Sequence, residues 1–277
     1  MSISHERATK QSLADGTPVH VFRPAGDARP GRAVVLLHER YGLVEHTLDL
    51  GAKFADDGLV ALAPDLFEGR VENYDAVRAG RARAVIYDDE VVRTAEACMS
   101  LLDGEFGIPA PSVAVMGVCQ SGRHPICVAN ANSSIGAAVV FYGAAQERDW
   151  KVDDQQPIAM EQMLTNLDVP LFATFGEGDH LIAIEDVFRF RNVLEGARRS
   201  YRIRMQANGP HGFMDSTKPG RYRPEATAES WAALLAFLDD ALGAAASEGN
   251  GGSARVTWEF SADISSDYDF SSNVRLE

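Results

Sequence analysis

The stretch "SVAVMGVCQSGRHP", residues 112–125, combines a continuous apolar run with a turn that presents a small nucleophile. An apolar run without polar alternation is typical of a strand that is buried on both faces of a parallel sheet. Gly117 precedes Cys119 by two residues, as in the pattern Gly-x-Ser-x-Gly, which places a serine on a sharp strand-to-helix turn. Here cysteine replaces the serine, and Ser121 replaces the second glycine. The stretch therefore predicts a buried strand that ends at Cys119 and runs directly into a helix.

Similar runs recur along the chain and alternate with stretches of helical pattern. The predicted strands lie within residues 17–26, 32–42, 59–67, 112–119, 136–143, 169–179 and 201–213. Helical patterns cover residues 47–58, 75–103 and 229–242, and Gly58 is expected to cap the first of them. Strands that alternate with helices predict a mostly parallel central sheet with helices on both faces.

The composition of the chain restricts which kinds of partner the protein can bind and in which cellular compartment it is expected. The 277 residues include 26 Lys and Arg against 40 Asp and Glu, a formal charge of −14 that argues against nucleic-acid or anionic-membrane partners. The N-terminus lacks a hydrophobic signal region, and no apolar run approaches a membrane span. Cys98, Cys119 and Cys127 have no metal-ligand spacing. We expect a cytoplasmic protein with reduced thiols and no metal or cofactor, and the oligomeric state stays open.

A change of composition near the C-terminus predicts two regions. Residues 1–246 are expected to form the catalytic domain, and residues 247–277 a Gly/Ser linker, "SEGNGGSAR", followed by an accessory tail. The Ser- and Asp-rich tail is expected either to be disordered or to add an edge strand, and we expect activity not to depend on it. A partner-binding role for the tail is the alternative.

Four polar side chains fall just beyond the ends of predicted strands, where ligands bind in such sheets. They are Glu39, Cys119, Asp179 and His211. Cys119, Asp179 and His211 follow the chain order of nucleophile, acid and histidine that is typical of α/β-hydrolases. In those enzymes the histidine takes the proton of the nucleophile, and the acid fixes the tautomer of the histidine. The positive end of a helix favours a thiolate at Cys119. Alternatives remain for each residue: a solvated loop histidine, a helix-capping aspartate, a salt-bridged Glu39 and a buried cysteine.

Several segments together resemble the dienelactone hydrolase, or carboxymethylenebutenolidase, family. They are "LLHERYGL", "ALAPDLF", "VMGVCQSG", "FYG", "FGEGDHLI" and "GPHGFMD", spread from about residue 10 to residue 242. The resemblance implies an α/β-hydrolase fold and hydrolysis of a small-molecule ester or lactone. It also implies Cys119 as nucleophile, His211 as base and Asp179 as its orienting acid, with Glu39 helping to activate the thiol when substrate arrives.

The family's oxyanion amides would fall on Gln120 and Arg40. Two features of the sequence depart from the family pattern. Ser121 stands where a glycine is usual, and Asp215 stands four residues after His211, where well-studied members carry an arginine that binds the substrate carboxylate. A second family arginine lies in the stretch that here reads "VRAGRARAVIY", where Arg78, Arg81 and Arg83 all stand. Arg78 and Arg81 are the candidates for the substrate-binding role, and a solvated face is the alternative for each of the three arginines.

Three other functions are compatible with parts of the pattern. A class I glutamine amidotransferase would need an acid after His124-Pro125, and a serine esterase using Ser121 would need glycines at positions 119 and 123. Neither requirement is met. A catalytically silent hydrolase-like domain that binds a ligand or partner remains the alternative to an enzyme.

Overall fold

A nine-stranded sheet forms the centre of the fold in the computed structural model, which describes residues 8–26, 31–243 and 256–266. The strands are β1 (Ala8–Ser12), β2 (Pro18–Phe22), β3 (Ala33–Leu37), β4 (Val60–Pro64), β5 (Val113–Val118), β6 (Ala137–Phe141), β7 (Leu171–Gly176), β8 (Tyr201–Gln206) and β9 (Trp258–Ala262). They lie in the order β1-β2-β4-β3-β5-β6-β7-β8-β9. β1 and β2 pair antiparallel, as do β2 and β4, and every other neighbouring pair is parallel. The predicted mostly parallel sheet is confirmed.

Helices cover both faces of this sheet, because side chains of the central strands alternate between two apolar cores. The helices are α1 (Glu45–Asp56), α2 (Tyr74–Arg78), α3 (Asp88–Leu101), α4 (His124–Ala131), α5 (Met160–Thr165), α6 (Ile184–Gly196) and α7 (Pro224–Leu242). Val35 and Leu37 of β3 join the core that includes residues of α2 to α6. Val34 and Leu36 join the opposite core, against α1 and α7. This layering is that of the predicted α/β-hydrolase fold.

The helical pattern over 75–103 forms two helices instead of one. Gly80 has a φ of +71°, in the left-handed region that ends helices, and its N–H donates to Val77. The chain then takes an irregular path until α3 begins at Asp88. Gly58, with a φ of +86°, follows α1 as expected. The described part of the chain contains no helix both long and apolar enough to cross a membrane.

The C-terminal segment returns to the sheet. Residues 256–266 add β9 beside β8 in parallel register, from Tyr201 opposite Trp258 to Met205 opposite Ala262. The tail was expected either to be disordered or to add an edge strand, and residues 258–262 form such an edge strand. The whole predicted linker, residues 247–255, and residues 267–277 lie outside the described residues, and the division at residue 246 stays a prediction.

Candidate active site

Cys119 lies on a strained turn at the end of β5. Its φ is 55°, a left-handed conformation that side chains other than glycine rarely adopt. A 3₁₀ turn over Cys119–Arg123 leads directly into α4, so the strand-to-helix geometry is as predicted. Gly117 and Gly122 permit the turn, because a Cβ at Gly122 would lie 2.6 Å from the Cα of Gly143. Such strained residues cluster at functional sites.

Ser121, at the position of the pattern's second glycine, stabilises this turn instead of serving as a nucleophile. Its side chain is fully buried, and its hydroxyl lies 2.9 Å from the carbonyl oxygen of Leu37 as donor. The hydroxyl oxygen of Ser121 in turn accepts the N–H of Val118 at 2.9 Å. A hydroxyl engaged on both sides and shut away from solvent is not placed to attack a substrate, which argues against the serine-esterase alternative.

Cys119, His211 and Asp179 form a continuous hydrogen-bonded row. The Cys119 Sγ lies 3.0 Å from Nε2 of His211, and Nδ1 of His211 lies 2.8 Å from Oδ2 of Asp179. The other Asp179 oxygen accepts the backbone N–H groups of Leu181 and Ile182. Asp179 therefore holds its own turn and orients the histidine. It does not cap α6, the helix that the alternative named, because α6 begins only at Ile184. Nucleophile, base and orienting acid need this connectivity.

The charge state of His211 follows from its two neighbours. Burial alone would lower the pKa of His211, but the Asp179 carboxylate and the Cys119 sulfur raise it to about 10. At neutral pH the imidazolium is therefore the favoured form, and it stands beside the sulfur as a proton donor. The ring also packs edge-on against Tyr142, with ring centroids 5.5 Å apart.

Glu39 is a buried carboxyl beside this row. It follows β3, is 7% exposed and lines the same cavity as Cys119 and His211. Burial raises its pKa to about 7, and the nearby Asp215 carboxylate adds to the effect. Within the part of the chain that the structure describes, Oε1 of Glu39 has no hydrogen-bond partner. It is therefore available to exchange a proton near neutral pH.

A small cavity joins these groups and is rich in arginine. Its volume is about 130 Å³. The cationic residues that line it are Arg40, Arg83, Arg148 and Arg221. Burial lowers the pKa of Arg83, as do the charges of Arg148 and Arg40, so these cations are close enough to repel one another. An acidic protein thus has a local concentration of positive charge beside its buried cysteine.

The remaining sequence candidates divide into two groups. Gln120 and Arg40, the expected oxyanion residues, both line the cavity. Arg78 and Arg81 are not among the lining residues. Arg78 instead stacks on the Tyr74 ring at 3.9 Å and lies 3.8 Å from Asp65.

Sequence reasoning missed several residues at the cavity. Arg148, Gln146 and Arg221 belong to loops whose path the sequence pattern does not define. His180 directly follows Asp179 in "FGEGDHLI", and this neighbourhood was a signal that could have identified it. Arg83, by contrast, was one of the three arginines named in "VRAGRARAVIY", and the irregular chain after α2 decides which of the three lines the cavity.

His124 takes no part in this site. It is buried at the start of α4, and its Nε2 lies 3.5 Å from Asp88, which also binds Arg123. Burial lowers the pKa of His124 to about 4, so the ring is neutral. This separation removes the geometric basis of a glutamine amidotransferase. All three cysteines are free and buried, and the described ranges contain no cluster of three or more His, Cys, Asp or Glu suited to a metal ion.

Comparison with known proteins points to one family. The model of the "Dienelactone hydrolase family" matches residues 18–242. A protein of Escherichia coli (strain K12) named "Putative carboxymethylenebutenolidase" is 25% identical over 231 residues, which cover 82% of this chain and 83% of the relative.

Two solved structures share the fold. A Klebsiella pneumoniae subsp. pneumoniae protein described as "Putative Dienelactone Hydrolase" aligns with a TM-score of 0.72 and 22% identity, over 83% of this chain and 97% of that one. A dienelactone hydrolase-like promiscuous phosphotriesterase from metagenomic libraries aligns with a TM-score of 0.66 and 20% identity, over 85% and 98%.

Proposed function

Because the chain belongs to the dienelactone hydrolase family of carboxylic ester hydrolases, we propose that it cleaves a small ester or lactone through a Cys119–His211–Asp179 triad. The observation that carries the proposal is the row of hydrogen bonds from sulfur to imidazole to carboxylate, at 3.0 and 2.8 Å. The row ends at a cavity of small-molecule scale beyond the carboxyl edge of a parallel sheet.

In the proposed reaction the Cys119 sulfur attacks the carbonyl carbon and forms a C–S bond. The carbonyl oxygen becomes an oxyanion, which the backbone amides of Gln120 and Arg40 would stabilise. When the C–O bond breaks, the imidazolium of His211 gives its proton to the leaving oxygen. Neutral His211 then takes a proton from water, and the hydroxide attacks the thioester. The carboxylic acid leaves as the C–S bond breaks, and the sulfur regains the proton that the Cys119 thiol gave up before the attack.

Glu39 is proposed to regulate the thiol. As substrate enters, the proton of the Cys119 thiol moves to the unpartnered Oε1 of Glu39, whose pKa near 7 suits acceptance near neutral pH, and it returns to the sulfur when the acid has left. Below that pH the carboxyl is neutral and accepts no proton. This predicts an acylation rate that rises as pH increases through about 7.

The arginines favour an anionic ester as substrate. We assign the binding of a substrate carboxylate to Arg83, with Arg40 and Arg148 nearby, since Arg78 and Arg81 do not line the cavity. Guanidinium groups bind carboxylates through paired hydrogen bonds. Of the three arginines in this stretch, Arg83 therefore takes the role for which Arg78 and Arg81 were the sequence candidates.

The test is a panel of lactones and aryl esters, with and without a carboxylate, assayed against wild type and Cys119→Ala. We expect turnover in wild type, strongest on the anionic esters, and loss of turnover in Cys119→Ala with an unchanged circular dichroism spectrum. Retained turnover in pure Cys119→Ala would rule out the nucleophile. An inactive wild type that still binds the panel would favour the silent binding domain.

A further inference from the structure

The loops that carry Asp179 and His211 are cross-linked by hydrogen bonds away from the cavity. The backbone N–H of Glu177 donates to the carbonyl of Gln206 at 3.0 Å, and that of Gly178 donates to Gly209 at 3.1 Å. The two backbones approach so closely that a Cβ at Gly176 would lie 1.9 Å from the Gly209 oxygen. The distance between Asp179 and His211 therefore depends on how these two loops are held together.

The Glu177 side chain joins the same two loops to the C-terminal segment. The carboxylate is 4% exposed and accepts the backbone N–H of Asn208 at 3.0 Å. It also accepts the backbone N–H of Ser265 at 2.7 Å and the Ser265 hydroxyl. Asn208 itself has a φ of 56°, a conformation that needs support from its surroundings. One buried carboxylate thus ties its own loop to two other segments of the chain.

The edge strand delivers Ser265 to this position. β9 pairs with β8 along its whole length, and the next residue, Asp263, donates its N–H to Met205 at 3.0 Å. Ile264 packs against the core that contains β8. The pairing therefore ends where β8 ends, and Ser265 meets Glu177 at the carboxyl edge of the sheet, next to the loop that leads to His211.

We propose that Glu177 and Ser265 are positioning residues, and that the C-terminal strand fixes the acid and histidine loops at their working distance. Glu177 does not line the cavity, so it acts through Asp179 and His211 and not on substrate. This inference rests on the proposed function, and it differs from the expectation that the tail is dispensable. Residues 256–266 then have a role in the reaction, in addition to covering the edge of the sheet beside β8.

The experiment compares Ser265→Ala, Ser265→Thr and Glu177→Gln in the full chain. Misplacement of catalytic groups by about 1 Å lowers rates by up to on the order of a hundredfold, so we expect Glu177→Gln to lower kcat/KM by on the order of tenfold or more. Ser265→Ala, which keeps the backbone bond, should lower kcat/KM by about three- to tenfold. Ser265→Thr keeps a hydroxyl and should restore most of the rate.

A second readout does not depend on turnover. The rate at which iodoacetamide alkylates Cys119, followed by peptide mass spectrometry across pH, reports the thiolate that His211 stabilises. Loosening of the Asp179–His211 contact should reduce alkylation at neutral pH in Glu177→Gln and Ser265→Ala. Cys98 and Cys127 do not line the cavity as Cys119 does, and burial raises the pKa of both thiols, so they should react slowly in every variant.

The matched control is Glu259→Gln on β9. Glu259 pairs with Arg202 and Arg204 at 3.0 Å, on β8 and away from the loops. It should leave kcat/KM and the alkylation profile unchanged. Wild-type kinetics and alkylation in Glu177→Gln and Ser265→Ala would overturn the inference, as would an equal loss in Glu259→Gln. Activity retained in Cys119→Ala would instead overturn the proposed function.

Discussion

Replacing Glu39 with glutamine should stabilise the protein in alkaline solution at the cost of activity. Glu39 is a buried carboxyl whose pKa is raised from 4.5 to about 7, chiefly by burial. Its ionised form is therefore about 3 kcal/mol less favourable in the folded state than in the unfolded chain. Glutamine has nearly the same volume and no charge, so the variant removes this penalty.

The pH window follows from the two pKa values. Between about 4.5 and 7 the folded protein holds a proton on Glu39 that the unfolded chain has released, so wild-type stability falls as pH rises through this range. The penalty is small below the unfolded value and complete above the folded one. The free energy of unfolding of Glu39→Gln, minus that of wild type, should therefore increase by about 2 to 3 kcal/mol from pH ~5 to pH ~8.

Urea denaturation at these two pH values measures the difference directly. Glu96→Gln is the matched control, because Glu96 is exposed on α3, and its difference from wild type should not change with pH. The acylation rate of Glu39→Gln with an activated ester should fall on the order of a hundredfold, as for loss of an acid/base group. If the difference in free energy of unfolding between Glu39→Gln and wild type did not change with pH, Glu39 would not be a buried, unpartnered carboxyl. If Glu39→Gln acylated at the wild-type rate, Glu39 would have no catalytic role.

Three further changes probe other parts of the site. Asp179→Asn removes the carboxylate that raises the pKa of His211, so Cys119 alkylation at neutral pH should fall and kcat should drop on the order of a hundredfold or more. Arg83→Gln should raise KM about tenfold for a carboxylate-bearing ester and leave a neutral ester unchanged, which steady-state kinetics on the pair would show. Gly122→Ala should lower the free energy of unfolding by about 2 kcal/mol or more in a urea titration, because its Cβ would lie 2.6 Å from Gly143. Equal KM changes for both esters, or a wild-type titration curve for Gly122→Ala, would contradict the second and third expectations.

The central strands were predictable because burial on both faces leaves a continuous apolar run. β1 and β9 carry no such signal, since they lie at the two edges of the sheet and neither strand contains a fully buried residue. The break between α2 and α3 escaped the periodicity because a single glycine in a left-handed conformation decides it.

The triad candidates were predictable because parallel strands bring their carboxyl ends to one edge, so residues distant in sequence meet there. The arginines that line the cavity were not predictable, because the paths of the loops decide which guanidinium group faces inward. The contact between Glu177 and Ser265 depends on a strand pairing that crosses the linker. Sequence periodicity holds no information about such a pairing.

The arginine-lined cavity within an acidic protein affects how fast an anionic ester arrives. A charge of −14 repels anions at distances beyond the contact zone, whereas the arginines attract them only at close range. Dissolved salt at about 0.15 M weakens interactions beyond roughly 8 Å and affects a partly enclosed contact much less. Encounter with an anionic substrate should therefore accelerate when salt is added, the reverse of enzymes whose overall charge guides the substrate in. The acidic surface therefore slows the arrival of anionic substrates most at low ionic strength and least at high ionic strength.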